Sequence, residues 1–313
     1  MIAYNELFKR NYGVFTEKEQ EKIANARILI VGCGGIGGTV AVILARSGVV
    51  DFVLVDFDIY EASNMNRQIG CFSSSLGKKK SIVIKEQIED INPMAKIECF
   101  DSFLNHDDIF KLMEKVDFVF PAADDFAFSI FIFRQAQKMD IPALFMVPSG
   151  TWANVSIILP KSPPIEDLYA IPKLSSYSEL HDAFQTEIYK LGAINYLTQG
   201  DWRADYFKSF LENDDPPTQI CPTVWISSTI GAMEVLKVLS EKWKPVALPK
   251  YWEITSHHIK IRRRNGLSLH SFYTWQKKII WPLLQTSLSK PLMKIIKKYW
   301  IFLYSYYKKK EGK

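Results

Sequence analysis

The sequence predicts an α/β fold: a doubly wound, mostly parallel sheet with a long excursion and a basic helical extension near its C-terminal end. Three observations carry that prediction. Short apolar runs alternate with helical patterns from residue 27 to residue 147, the order that a parallel sheet with crossover helices requires. The first run, RILIV, passes directly into GCGGIGG and then into a helical stretch, a strand–turn–helix unit. Asp56 closes the second run, 19 residues beyond Gly37.

The elements follow in order. Residues 14–26 read as a helix, with Thr16 as N-cap and Glu19 three residues on, the signature of a capping box. Residues 27–31 are a buried strand, 39–47 a helix and 52–56 a second strand. A helix over 80–90 ends before Asn92-Pro93, because the residue before proline is pushed out of the helical region. Strands are expected at 97–100, 117–121 and 143–147, separated by helices at 107–114 and 126–139; residues 155–159 read as an antiparallel strand. From 160 to 220 the periodicity weakens and prolines gather at Pro163, Pro164, Pro172, Pro216 and Pro217. This stretch reads as a crossover excursion carrying one or two helices. Residues 224–239 are an apolar helix and 251–261 a strand. Two segments are expected: a body over 1–262 and an extension over 263–313.

A chain of 313 residues, 48% hydrophobic and 23% charged, can build a full core and is not disordered. Cys33, Cys71, Cys99 and Cys221 form no C-x-x-C pair, so no structural zinc of that kind is expected. His106, His181, His257, His258 and His270 show no metal-binding spacing either. No signal peptide and no apolar run of membrane-spanning length is present, which points to the cytoplasm.

Residues 257–313 hold fourteen Lys and Arg against one acid, Glu311, a net +13; the whole chain carries +5, so the rest carries −8. The extension has an amphipathic stretch at 279–303, with Lys290, Lys294, Lys297 and Lys298. Docking on the acidic body is the favoured reading. Gripping an acidic peptide or touching a membrane surface are the others. Nucleic acid is not expected as a partner, since no nucleic-acid-binding motif is present.

Gly32, Gly34 and Gly37 fit G-x-G-x-x-G between strand and helix. Glycines let the backbone approach a phosphate at the helix N-terminus, and Asp56 is placed to accept hydrogen bonds from a ribose. This much leaves a dinucleotide and ATP undivided. The next segment separates them. Asp56-Phe-Asp58-Ile-Tyr-Glu-Ala-Ser-Asn64-Met-Asn-Arg67-Gln68 is followed by Gly77-Lys-Lys-Lys80. Cleavage of ATP between its α- and β-phosphates develops charge on both sides of the break and calls for Arg and Lys from separate elements. Arg67 and Lys80 suit that role, and Asp124 follows a strand where it could hold Mg²⁺. The alternative makes Arg67 and Lys78–Lys80 a solvated surface run.

GCGGIGG, DFDIYEASNMNRQ, LGKKK, INP and AADD, in this order and spacing, resemble the ThiF/MoeB/ubiquitin-activating superfamily over about residues 8–262. The resemblance implies a Rossmann-like fold and ATP-dependent adenylation of a carboxylate, usually the C-terminal one of a small protein or peptide. It implies that Gly34 and Gly35 line the nucleotide, that Asp56 holds the ribose, that Asn64, Arg67 and Lys80 contact phosphates, and that Asp124 serves Mg²⁺. Arg10, in KRNYGVF, matches an N-terminal arginine that reaches the ATP of the other subunit, which implies a homodimer.

The chain departs from that pattern in two ways. The paired zinc cysteines of the thiamine- and molybdopterin-type members are missing, and no cysteine lies between Pro160 and Ile220 to take a thioester or persulfide. Cys221 sits at a helix start, where a small buried role is expected. These losses point toward the peptide-modifying branch, resembling the enzymes of microcin C and pantocin A biosynthesis. With nine residues before Arg10, the N-terminal peptide-binding domain of the microcin type is expected to be missing. Grip on a peptide would then come from 160–220, where Trp202 and Tyr206 are candidates and His181 a possible base, or from the extension. A sulfur-carrier activator for thiamine or molybdopterin synthesis, an NAD-binding oxidoreductase and a non-catalytic nucleotide-binding scaffold are the rival readings.

Overall fold

The computed structural model describes residues 2–169, 171, 173–185, 198–213, 215–264 and 289–311. Its centre is an eight-stranded sheet in the order β3-β2-β1-β4-β5-β6-β7-β8. The strands are β1 (Arg27–Val31), β2 (Asp51–Val55), β3 (Lys96–Phe100), β4 (Phe118–Pro121), β5 (Ala143–Ser149), β6 (Trp152–Ile158), β7 (Lys250–Ile254) and β8 (Ile259–Arg263). Strands β1 to β5 pair in parallel, and β6, β7 and β8 run antiparallel to their neighbours.

Alternation along each strand feeds two cores. Ile28, Ile30, Phe52, Leu54, Phe118 and Phe120 face one side, while Leu29, Val31, Val53, Val55 and Val119 face the other. Six helices cover these faces in chain order after the short α1 (Tyr4–Leu7): α2 (Glu17–Asn25), α3 (Gly37–Arg46), α4 (Lys80–Ile91), α5 (His106–Met113), α6 (Phe126–Lys138) and, after the excursion, the long α10 (Cys221–Ser240). The capping box of α2 is present: the Glu19 amide donates to Thr16 Oγ1 at 3.3 Å and the Thr16 amide to Glu19 Oε2 at 2.8 Å.

Three expectations are corrected. The excursion holds three described helices rather than one or two: α7 (Ile165–Tyr169), α8 (Tyr177–Gln185) and α9 (Ala204–Asn213). The strand expected at 251–261 is a hairpin, because Thr255 turns the chain. Its Oγ1 accepts from the amides of His257 at 3.1 Å and His258 at 3.0 Å, and its own amide donates to the His258 carbonyl. The helix expected at 224–239 starts three residues earlier, at Cys221, with Pro222 in its first turn.

The extension ends in α11 (Ser289–Glu311); residues 279–288 of the expected amphipathic stretch, and His270, lie outside the described residues. Helix α11 docks on α9. Tyr304, Trp300 and Ile301 pack with Trp202, Phe207 and Leu211. Tyr304 donates to the Trp202 carbonyl at 2.8 Å, and its ring lies 4.4 Å from that of Phe207. Lys308 Nζ meets Asp201 at 2.9 Å. Trp202 is thus a packing residue, 2% exposed. Among the described residues no helix is long and apolar enough to cross a membrane.

Because Tyr304 is the buried α11 residue at this contact, 7% exposed, Tyr304→Ala should cost about 3 kcal/mol. Thermal melts should show a lower midpoint, and limited proteolysis should release the extension. An unchanged melt would mean that the contact contributes little.

Candidate active site

The turn after β1 is built by close backbone approach. Gly32 has a φ of +100°, and a Cβ there would stand 2.7 Å from the Ala122 backbone; at Gly37 a Cβ would stand 1.8 Å from the Gly32 carbonyl oxygen. Both positions therefore demand glycine. The Gly32 amide bonds to Val55 O and the Ala122 amide to Val31 O, each at 2.7 Å. The carboxyl ends of β1, β2 and β4 are thereby tied together at the point where the strand order reverses, the usual ligand position in such sheets. Helix α3 begins there with no side-chain cap; in its first turn the Gly38 amide donates to the Gly34 carbonyl at 3.1 Å and the Val40 amide to the Ile36 carbonyl at 2.9 Å.

Asp56 reaches across from β2. Its Oδ2 accepts from the Cys33 amide at 2.6 Å and its Oδ1 from the Asp58 amide at 2.8 Å. Burial raises its pKa, against the pull of those two amides and of Lys80. Lys80, the first residue of α4, is buried and holds Asp58 Oδ2 at 3.0 Å. Arg67 is held by its own turn and by the segment before α10. Its Nε donates to Gln219 Oε1 at 2.8 Å, its Nη1 to Ser63 O at 3.1 Å and to Asn66 Oδ1 at 2.8 Å, while Trp225 Nε1 donates to the Arg67 carbonyl. The buried Gln68 Oε1 has no hydrogen-bond partner.

These groups line one cavity of about 770 Å³. Gly32, Gly34, Gly35, Asp56, Asp58, Arg67, Gln68, Lys80 and Asp124 all contribute to its wall. Asp124 stands exposed there, with no ion pair to any described residue. Three expected site residues do not line it. Gly37 packs beneath the turn. Asn64 is buried with its Oδ1 accepting from the Glu61 amide at 3.2 Å, so it closes the turn over Ala62–Asn64. Arg10 stands exposed in the turn Lys9–Gly13. His181 faces Asp125, 3.3 Å away, and Tyr206 lies on α9; neither lines the cavity. Cys33 is fully buried under the turn, where burial pushes its thiol well up, and Cys221 opens α10.

The wall also has members that the sequence reading missed. Phe57 and Phe103, edge to face at 5.8 Å, stand at the β2–β3 side. Asn154 and Tyr169 stand at the β5–β6 side, and Gln219 forms part of the wall. Asn154 had a signal: it is a polar residue in the middle of an apolar strand. Gln219 had none.

A ThiF family profile matches residues 8–271. The chain belongs to the ThiF family. It is 31% identical over 138 residues to a tRNA threonylcarbamoyladenosine dehydratase of Bacillus subtilis (strain 168), covering 44% of this chain and 54% of that protein. It is 30% identical over 151 residues to a molybdopterin-synthase adenylyltransferase of Haemophilus influenzae (strain ATCC 51907 / DSM 11121 / KW20 / Rd), covering 48% and 62%. The chain spans about half the length of these curated relatives. Among solved structures, the microcin C7 biosynthetic enzyme MccB in complex with N-formylated MccA superposes with a TM-score of 0.65 at 25% identity, over 84% of this chain and 73% of that one. Set on this ThiF-family fold, the two kinds of glycine in the turn separate cleanly. Gly37 serves packing, whereas at Gly35 a Cβ would meet only Val224 at 3.4 Å and the Arg67 stem at 3.7 Å.

Gly37→Ala should therefore cost upward of about 3 kcal/mol, since backbone cannot yield as a side chain can. Gly35→Ala should melt near wild type but bind ATP more weakly, because its methyl group enters the cavity wall. Calorimetry beside thermal melts checks both. Equal effects on melting would remove the distinction.

Proposed function

We propose that this ThiF-family chain uses ATP to adenylate a carboxylate on a peptide or small protein, releasing pyrophosphate. The observation that carries this reading is the meeting of the glycine turn, Asp56, Arg67, Lys80 and Asp124 in one cavity. A carboxylate oxygen attacks the α-phosphorus, the bond to the bridging oxygen breaks, and pyrophosphate leaves with its electrons. Arg67 and Lys80 approach from separate elements and offset the charge on the departing phosphates. Asp56, with one lone pair on each oxygen still open, accepts from the ribose. No side-chain nucleophile is needed, because positioning and field suffice.

Asp124 fits a Mg²⁺ ion that travels with ATP: it is an exposed carboxylate on the cavity wall with no ion-pair partner among the described residues. Such an ion would neutralise phosphate charge, its remaining ligands being phosphate oxygens and water. The name of the Haemophilus relative, an adenylyltransferase, supports the reaction type. The solved MccB, which is bound to N-formylated MccA, supports a peptide as acceptor in natural-product biosynthesis. A C-terminus of a sulfur-carrier protein remains the second acceptor, and the Bacillus relative's name adds a tRNA nucleoside as a third to test.

The site is completed by a second copy. Arg10 does not line its own cavity. Helix α10 leaves Trp225, Ile226 and Met233 exposed, an apolar surface suited to a homodimer. Sedimentation should show a dimer that Met233→Glu dissociates. Mixing inactive Arg10→Ala and Lys80→Ala chains should restore activity, because one site of each mixed dimer then holds both cations. No recovery in a proven mixed dimer would confine Arg10 to its own chain.

ATP–pyrophosphate exchange that depends on a carboxylate acceptor tests the reaction. Arg67→Ala or Lys80→Ala should lower the rate by about 10²–10³ with the fold intact, and a variant lacking all four cysteines should keep exchange. Tight NAD binding without ATP binding would sink the proposal.

A further inference from the structure

Helix α11 has two apolar faces, and the body covers one of them. Tyr304, Trp300 and Ile301 turn toward α9. Ile295, Tyr299, Phe302 and Tyr306 follow one another at spacings of four, three and four residues, so they share the opposite side of the helix. They are 64%, 57%, 68% and 48% exposed. Phe302 and Tyr306 stack at 6.4 Å. The stripe runs roughly 16 Å along the helix axis. Single exposed apolar residues are ordinary, but a continuous row of large ones marks a contact surface.

The charges beside the stripe say what it contacts. Helix α11 carries seven lysines against one acid, Glu311. Two of the lysines serve the docked face: Lys297 donates to the Leu211 carbonyl at 2.9 Å, and Lys308 pairs with Asp201. Lys294, Lys298 and Lys309 stand exposed along one edge of the stripe and form no ion pair with any described residue. A second copy of the helix would bring the same cations and almost no acid to answer them. A peptide is best gripped in a groove, whereas this face is the convex ridge of a single helix. A ridge of rings and aliphatic carbon edged by lysines matches a lipid surface, which offers an apolar layer beneath negative headgroups.

We propose that the outer face of α11 lies on an anionic membrane surface and holds the protein there. Ile295 and Phe302 enter the boundary between headgroups and acyl chains. Tyr299 and Tyr306 place their rings at the same level with their hydroxyls among the headgroups, where amphipathic rings are favoured. Lys294, Lys298 and Lys309 meet lipid phosphates or carboxylates, their stems lying along the apolar layer. The helix stays on the surface, since no described helix is long and apolar enough to cross. The Tyr304 contact on the other side is untouched, so α11 can join the body and the membrane at once. The inference is independent of the adenylation reading.

Full-length protein, floated with vesicles of equal parts phosphatidylcholine and phosphatidylserine and with vesicles of phosphatidylcholine alone, tests this. Binding to the mixed vesicles should be at least tenfold tighter and should weaken as salt is raised. Replacing the three edge lysines, Lys294→Ala with Lys298→Ala and Lys309→Ala, should weaken it about a hundredfold. Ile295→Ser with Phe302→Ser should weaken it about tenfold or more at every salt concentration. Thermal melts of both variants should match wild type, because the changed side chains point away from α9; where the double variant does not fold, Ile295→Ser alone takes its place. Equal binding to both vesicle types, or full binding by a folded stripe variant, would overturn the proposal. So would absence of vesicle binding, whether the protein then bound poly-glutamate or formed an oligomer that Phe302→Ser dissociates.

Discussion

Everything at the site depends on how closely three backbone segments approach behind the glycine turn. The Gly32 amide is bonded to β2, the amide following β4 is bonded back to β1, and Gly37 lies against the Gly32 carbonyl with no room for a methyl group. That approach lets α3 start directly beyond the carboxyl end of β1. It also brings the end of β2 near enough for Asp56 to take the Cys33 amide at 2.6 Å. A side chain at either glycine would push helix from sheet and open the cavity from behind. The carboxylate is equally constrained. Burial disfavours its charge, and two backbone amides with Lys80 compensate.

The cations are arranged by a different means. Arg67 and Lys80 come from elements outside the strands, and each is oriented by partners of its own. Lys80 is paired with Asp58, so its charge is balanced until an anionic ligand arrives. Arg67 is oriented by Gln219 and by two groups of its own turn, all neutral, so its charge is not cancelled. On the proposed function, phosphate binding would amount to exchanging Lys80's carboxylate for a ligand oxygen and adding a charged partner to Arg67. The segment carrying Gln219 also lines the cavity, with Pro216 and Pro217, which ties the end of the excursion to Arg67.

Much of this could be read from the chain itself. Strand β1 falls at the expected residues, because a fully apolar run bounded by Arg27 and Gly32 leaves little freedom in its ends. The glycine turn, Asp56 and the cation pair were legible because each combines an unusual residue type with a fixed place relative to a strand. The Thr255 turn was not, since its hydrogen bonds involve residues with no strong turn preference of their own and the flanking runs read as one strand. Asn64 illustrates a different limit. Its motif position suggested a ligand contact, and only the fold shows its side chain bonded to the Glu61 amide. Gln219 and Asn154 matter through neighbours far away in sequence, Arg67 and Tyr169, which local pattern cannot reveal. The extension's charge pointed to docking on an acidic body. Its described helix docks instead mainly through rings around Tyr304, with Lys308 adding an ion pair at the rim.

The central claim is that the glycine turn, Asp56 and the two cations receive the triphosphate of ATP rather than the pyrophosphate of a dinucleotide. A crystal structure of the protein with Mg²⁺ and a non-hydrolysable ATP analogue tests it most directly. The account predicts ribose hydroxyls on Asp56, phosphates against the Gly34 and Gly35 backbone, Arg67 and Lys80 within hydrogen-bond distance of phosphate oxygens, and the metal beside Asp124. A nucleotide bound elsewhere, or one bound here with Lys80 still on Asp58 and Arg67 clear of every phosphate, would contradict it.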